Sequence, residues 1–299
     1  MLSYTSLRNR FAVLANTTNS TVLTNADAWI NDAHRIFISK TNGYFTEATG
    51  TETSVASQQA YALPYNCEKI NSVTFTIDDF KYPLIEVNSR KDWDELQMNT
   101  AVTADPPQYY YQDAGKLYLW PTPASASNTI NFNYKKRVID LNTADITTST
   151  ITTLANGSTA LTVSAGLTAQ MPGFWIRPTF STTANTGDGN WYEIYSVTSA
   201  TVAVLVREYG GVSIATGTAA STIAQMPLIP EIFHSSLVDY AISEYWEMNG
   251  DSDRASAYRA KWNDALEEGA KYSLNKTTNM VIDDGCDREI LNPNLTVML

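Results

Sequence analysis

Over the first forty residues the apolar positions follow a helical period. Trp29, Ile30, Ala33, Ile36 and Phe37 recur at three- and four-residue steps and give one face. Residues 1–40 therefore read as helical. Thr24 and Asp27 stand at capping-box spacing, and Asn42-Gly43 is a stop signal. The period then changes to two. Val73, Phe75 and Ile77 alternate with Ser72, Thr74 and Thr76, which predicts a half-buried strand. Asp78-Asp79 turns that strand back into Tyr82–Val87. Tyr109–Gln112 and Lys116–Trp120 flank Asp113-Ala114-Gly115, the pattern of a three-residue hairpin loop with glycine at the left-handed position. Ile130, Phe132 and Tyr134 alternate with Asn131 and Asn133 as a further strand, and a short helix is expected near Asp92–Met98.

At about residue 145 the pattern shifts to Thr, Ser, Ala and Gly with little charge. Strands are predicted at Ala160–Val163, Phe174–Arg177, Trp191–Val197 and Val202–Val206, punctuated by Asn156-Gly157, Asp188-Gly189 and Gly210-Gly211. The helical period returns at Pro230, with Phe233, Leu237, Tyr240, Ala241, Tyr245 and Met248 on one face. Asn249-Gly250 ends that helix and Asp251 caps the next, whose face carries Ala255, Tyr258, Trp262, Ala265, Leu266 and Gly269. The expected fold is α+β: a helical domain with a β-hairpin and sheet segment, plus an inserted small all-β module. Residues 1–144 and 226–273 form the core, 145–225 the insertion, and 274–299 an apolar but aperiodic tail.

Composition narrows the function classes. Hydrophobic residues make up 43% and charged residues 17%, which is a folded composition. A net charge of −11 argues against non-specific binding to phosphate backbones, which needs clustered Lys and Arg. The one basic run, Lys135-Lys136-Arg137, reads as a solvated strand end. Two cysteines, Cys67 and Cys286, make neither a disulfide framework nor a zinc site and read as free thiols. Met1–Leu14 lacks the apolar core of a signal peptide, and no stretch has the length of a membrane span, so a soluble chain made in the cytoplasm is expected.

Candidate chemistry is sparse. Catalysis by His34 or His234 would need a nucleophile or carboxylate arranged around the ring, and no nucleophile motif accompanies them. Phosphate-binding glycine loops are absent; Thr186-Gly187-Asp188-Gly189 is a β-turn signal. Asp78-Asp79 reads as a turn, and Asp92, Asp94 and Glu95 as the first turn of a helix. Asp283, Asp284 and Asp287 lack the spacing of a calcium loop. No catalytic residue, metal site or cofactor is expected. Aromatics are the unusual feature: 7 Trp and 17 Tyr, among them Tyr109-Tyr110-Tyr111, Trp120, Trp175, Trp191 and Tyr192 on predicted strands. Three consecutive tyrosines on a strand cannot all point inward, so one face is exposed or meets a partner.

The order of these segments resembles that of the head-to-tail adaptor (connector or neck) proteins of tailed bacteriophages. Leu63-Pro64 with Ile70-Asn71-Ser72-Val73, then Pro107-Gln108-Tyr109-Tyr110, then Leu117-Tyr118-Leu119-Trp120-Pro121-Thr122-Pro123 and the strand Ile130–Tyr134 carry the likeness. So does the closing helix pair, Ile229-Pro230 through His234 to Tyr245, Asp251–Asp253, and Ala255–Tyr272. Met171–Arg177, Tyr192–Val197 and Tyr209-Gly210-Gly211 are similar to β-modules of virion proteins, with Pro172 where Val is common.

The resemblance implies a non-enzymatic virion protein of the neck. Such proteins form a ring, usually of twelve subunits, between the portal protein and the tail or next neck protein, around a channel for double-stranded DNA. Within that picture Ile282, Ile290, Leu291 and Leu295 are the expected portal contacts. Tyr109, Tyr110, Tyr111 and Trp120 are the expected subunit or partner contacts, and Trp175, Trp191 and Tyr192 the aromatics of a rim module. The alternative is a carbohydrate-binding tail-fibre or adhesion component using the last three aromatics, though the repeats of a fibre are missing. A carboxylate-based hydrolase, the third class, has no convergent motif.

Overall fold

The computed structural model describes residues 1–41, 43–98, 102–180, 187–214 and 219–282. The described residues hold the helices α1 (Tyr4–Leu14), α2 (Ser20–Thr41), α3 (Arg90–Met98), α4 (His234–Met248) and α5 (Ser252–Ile282), with fourteen strands. The fold is α+β with a small all-β module. The chain divides into two units, residues 1–44 with 227–299 and residues 45–226.

In the first unit α4 packs against α1, α2 and α5. Leu7, Phe11, Ala26, Ile30, Ala33, Phe37, Leu237, Val238, Ala241, Ile242 and Trp262 are buried. Each fully buried large side chain contributes about 1.5–3 kcal/mol. The N-terminal helical stretch is two helices. Ser3 caps α1 by accepting from the Ser6 N–H at 3.2 Å. Asn16 adopts a left-handed φ of 47° after α1, and the Asn19 side chain accepts from the Thr21 N–H at 2.9 Å where α2 begins. Thr24 is not a cap: its hydroxyl donates to the Ser20 carbonyl at 3.0 Å inside the helix. Asp27 instead pairs with Arg8 of α1 at 3.1 Å. Asp251 does cap α5, accepting from the Arg254 N–H at 3.0 Å, and α5 continues past Tyr272 to Ile282.

The second unit opens with β1 (Glu47–Thr53), β2 (Ala60–Ala62), β3 (Cys67–Ile77), β4 (Phe80–Pro83), β5 (Ile85–Glu86), β6 (Tyr109–Asp113), β7 (Lys116–Trp120) and β8 (Thr129–Lys136). They form two four-stranded sheets, β1-β8-β3-β4 and β2-β7-β6-β5. Both sheets contribute to one apolar core that includes Ile70, Val73, Phe75, Leu117, Leu119, Ile130 and Phe132. The segment 82–87 is divided between the sheets. β4 pairs with β3, while β5 pairs in parallel with β6, because Leu84 turns the chain inward. Asp78 and Asp79 are both left-handed, as a two-residue turn of this hand requires. The β6–β7 loop is also two residues, Ala114 and Gly115 at φ 47° and 73°, because Asp113 already pairs with Lys116. β1 has no alternating apolar pattern. Gly50 is its buried residue, since a Cβ there would lie 2.4 Å from the Phe132 ring.

Residues 150–224 build a closed six-stranded antiparallel barrel, ordered β10-β13-β12-β11-β14-β9. Its strands are β9 (Thr150–Leu154), β10 (Ala160–Val163), β11 (Trp175–Pro178), β12 (Tyr192–Ser199), β13 (Val202–Leu205) and β14 (Ala219–Ala224). Register shifts in β10 and β12 supply curvature for closure. Ile151, Leu161, Ile176, Ile194, Leu205 and Ile223 fill the interior. β9 and β14 went unseen in the sequence because Thr and small Ala and Ser positions carry most of their alternation.

Candidate interaction surfaces

The tyrosine strand β6 sorts its residues by face. Tyr110 points between the sheets and is 2% exposed, and burial there, with Glu86 adding to it, pushes its hydroxyl up to about 12. Trp120 is 8% exposed. Tyr109 and Tyr111 are half-buried on the other face. That face is partly roofed by α3. Trp93 of α3 is buried and stacks on Tyr111 with ring centroids 5.4 Å apart, and meets Tyr118 at 6.2 Å. Arg90 fastens the helix to the hairpin, reaching Asp94 at 3.0 Å and Asp113 at 3.2 Å. The second face therefore has a cover within the chain, which the tyrosine run alone did not reveal. Tyr109 lies beyond that cover, in a groove with Ile85, Glu86, Asp92, Glu95 and Leu96.

A surface the sequence reading missed lies on the flank where the chain crosses from β4 to β5. Tyr82 stands opposite the buried Phe75, and Phe80 opposite Ile77, so both belong to the apolar face of their sheet. The second sheet does not extend over them. Phe80 is 70% exposed, Ile85 61%, and Tyr82 39%. The available signal was alternation continuing through a turn into a strand that ends at Pro83.

On the barrel, Trp175 and Trp191 are half-buried on the outside, with the Arg177 guanidinium 4.9 Å from the Trp191 ring centre. Tyr192 is not with them. It is buried, and its hydroxyl donates to Asp188 at 2.5 Å. Burial and that bond raise Tyr192. Burial would also raise the Asp188 carboxyl, but the hydrogen bonds from Tyr192 and Asn190 outweigh it and hold the carboxyl below its usual range. Ile282 ends α5; Ile290, Leu291, Leu295 and Cys286 lie outside the described residues.

The remaining candidates take structural positions. His34 Nε2 accepts from the Leu228 N–H at 2.9 Å, and desolvation drives its pKa down to about 3. His234 Nε2 donates to the Ile229 carbonyl at 3.0 Å while Nδ1 accepts from the Leu2 N–H at 3.1 Å; burial lowers it too. Burial pushes the Cys67 thiol up to about 11, which keeps it protonated and unreactive. In the basic run, Lys135 faces solvent near Glu68, but Lys136 does not. It pairs with Glu193 of the barrel, and both side chains are shielded from water. Among the described residues no group of three or more His, Cys, Asp or Glu could hold a metal ion. No described helix is long and apolar enough to cross a membrane.

Exposed apolar and aromatic surface is what stands out among the described residues. No curated protein matches the chain. The family model described as SU10 adaptor protein, a phage head-to-tail adaptor family, matches residues 2–161. The matched segment runs from α1 through both sheets into β10, and so contains the tyrosine strand, Trp93 and the exposed flank. It covers more than half of the chain, which accordingly belongs to the SU10 adaptor protein family of phage head-to-tail adaptors.

Proposed function

We propose that this adaptor closes with copies of itself into a ring of twelve, set between the portal protein and the tail of the virion. The ring extends the DNA channel and gives the tail or the next neck protein its docking surface. Membership of the adaptor family over residues 2–161 is the observation that carries this reading. Two properties of the chain support it. A closed ring needs a side-to-side contact between different patches of neighbouring subunits, and Phe80, Tyr82 and Ile85 offer apolar area for one. A net charge of −11 suits a wall past which double-stranded DNA slides without being gripped.

In this reading Tyr109 and Tyr111 belong to the subunit or partner contact, with Tyr110 and Trp120 supporting them from within. The barrel, with Trp175, Trp191 and Tyr192, lies at the rim. Ile282, Ile290, Leu291 and Leu295 anchor on the portal. The protein is made in the host cytoplasm and acts in the virion neck. Residues 1–144 with 226–273 serve as the adaptor core, 145–225 as its insertion and 274–299 as the docking tail. Native mass spectrometry and negative-stain microscopy of the purified protein, alone and with its portal, test the proposal. Twelve-fold rings are expected, and a chain that stays monomeric or trimeric in both samples would overturn it.

The outward Trp175 and Trp191, with Arg177 beside them, favour a second reading, a carbohydrate-binding adhesion component. Glycan binding abolished by Trp191→Ala, in a protein that forms no ring, would decide for it.

A further inference from the structure

The joint between the barrel and the two-sheet body differs in kind from the interior of either. The two apolar cores share no residue. Several polar contacts cross the joint. Glu193 and Tyr195 of β12 both line the cavity at the joint. Glu193 receives Lys136 from the end of β8, and the Tyr195 hydroxyl accepts from the Thr51 N–H of β1 at 3.4 Å. Beside them the Tyr134 hydroxyl donates to Asn66 at 3.3 Å. Asn66 in turn lies against Gly173 of the barrel, where a Cβ would come within 3.3 Å of its amide. A cavity remains between the two bodies, lined by Tyr134, Lys136 and Glu193 together with the apolar Ala48, Ile194 and Val206.

No continuous apolar core spans the joint. Bodies of one chain that share no core are open to relative motion. Against that background the Lys136–Glu193 pair stands out. The side chains keep only 13% and 14% of their exposure. A shielded ion pair adds little net stability, because desolvation offsets its attraction, but it is demanding about position: an unpaired charge left there is strongly unfavourable. Either partner moving away strands the other.

We infer that Lys136 and Glu193 form a latch that fixes the orientation of the barrel on the two-sheet body, and that opening the latch frees the barrel to swing while both bodies stay folded. The inference concerns the barrel's attachment and stands whether or not the ring reading holds.

The test measures distance across the joint. Nitroxide labels are placed at Lys81 and Ala155, one on each body and both exposed, in a full-length chain carrying Cys67→Ala and Cys286→Ser. Pulsed electron resonance should give one narrow distance distribution for the otherwise native protein. Glu193→Gln should broaden it or add a second population, with the near-ultraviolet dichroism of both bodies retained. The neutral pair Lys136→Met with Glu193→Gln guards against unfolding caused by one stranded charge. It should melt close to the native protein and still show the broad distribution. The exchange Lys136→Glu with Glu193→Lys should restore the narrow one. A narrow, native distribution in the folded neutral pair would overturn the latch.

Discussion

The side-chain amide of Gln225 donates to the backbone carbonyl of Asp140 at 2.7 Å, fastening the chain that leaves the barrel to the chain that leads into it. The same side chain accepts from the Asn142 and Thr143 N–H groups at 2.9 and 3.1 Å. Gln225 is buried, so removing it strands polar groups away from water. Gln225→Ala is expected to cost about 2–3 kcal/mol. Urea unfolding followed by tryptophan fluorescence checks this, and a midpoint within error of the native protein would refute the clamp.

Acid should destabilise the helical unit through His34. Its folded pKa of about 3 lies below the unfolded value near 6.5, so the unfolded chain takes up the proton first. The stabilisation is full above pH 6.5 and is lost as pH falls from there towards 3. At pH 5 the loss is about 2 kcal/mol, and His234, lowered in the same direction, adds to it. His34→Gln retains an acceptor for Leu228 and does not titrate. Melting temperatures between pH 7.5 and 4.5 should fall less steeply in that variant.

Ala114 holds a left-handed φ of 47° in the turn between β6 and β7. Alanine adopts that region at a cost of about 1 kcal/mol, which asparagine and glycine largely avoid. Ala114→Asn should therefore raise stability by about 0.5–1 kcal/mol. Thermal unfolding is the measurement, and an unchanged or lower midpoint would count against the turn assignment.

Gly269 lets α5 approach α2. A Cβ at this position would lie 2.5 Å from Cζ of Phe37 and 3.1 Å from Thr41. Phe37 is fully buried against Phe233 and Trp262 and has little room to yield. Gly269→Val should cost about 2–3 kcal/mol, despite the better helix propensity of valine. Loss of α-helical dichroism at a lower temperature would report it.

Phe80 and Ile85 touch little within the chain, so their replacement should leave the monomer alone. Phe80→Ser with Ile85→Ser is expected to keep unfolding free energy within about 0.5 kcal/mol of native. The same variant should shift the mass distribution from rings to smaller species. Intact rings in the double variant would remove this flank from the subunit contact.

Much of this architecture can be read without coordinates. Two-residue alternation marks β3 and β8, because one face of each strand turns outward and the other meets the core. The helical faces of α4 and α5, with the Asn249-Gly250 break between them, follow from the three- and four-residue spacing. The low-charge stretch also identified a β-module.

Three things depended on which residues meet across long sequence separations. β1 carries no apolar pattern because its buried position is Gly50, and that is intelligible only with Phe132 lying against it. Tyr111 reads as surface until Trp93, eighteen residues upstream, stacks on it. Lys136 reads as a solvated strand end until the barrel brings Glu193 to it across fifty-seven residues. Local pattern reports how a segment divides its side chains between two faces. Whether the outward face stays in water, is roofed by a helix or is met by an opposite charge is set by tertiary packing, and so the exposed flank at Phe80 and the latch at Lys136 appeared only there.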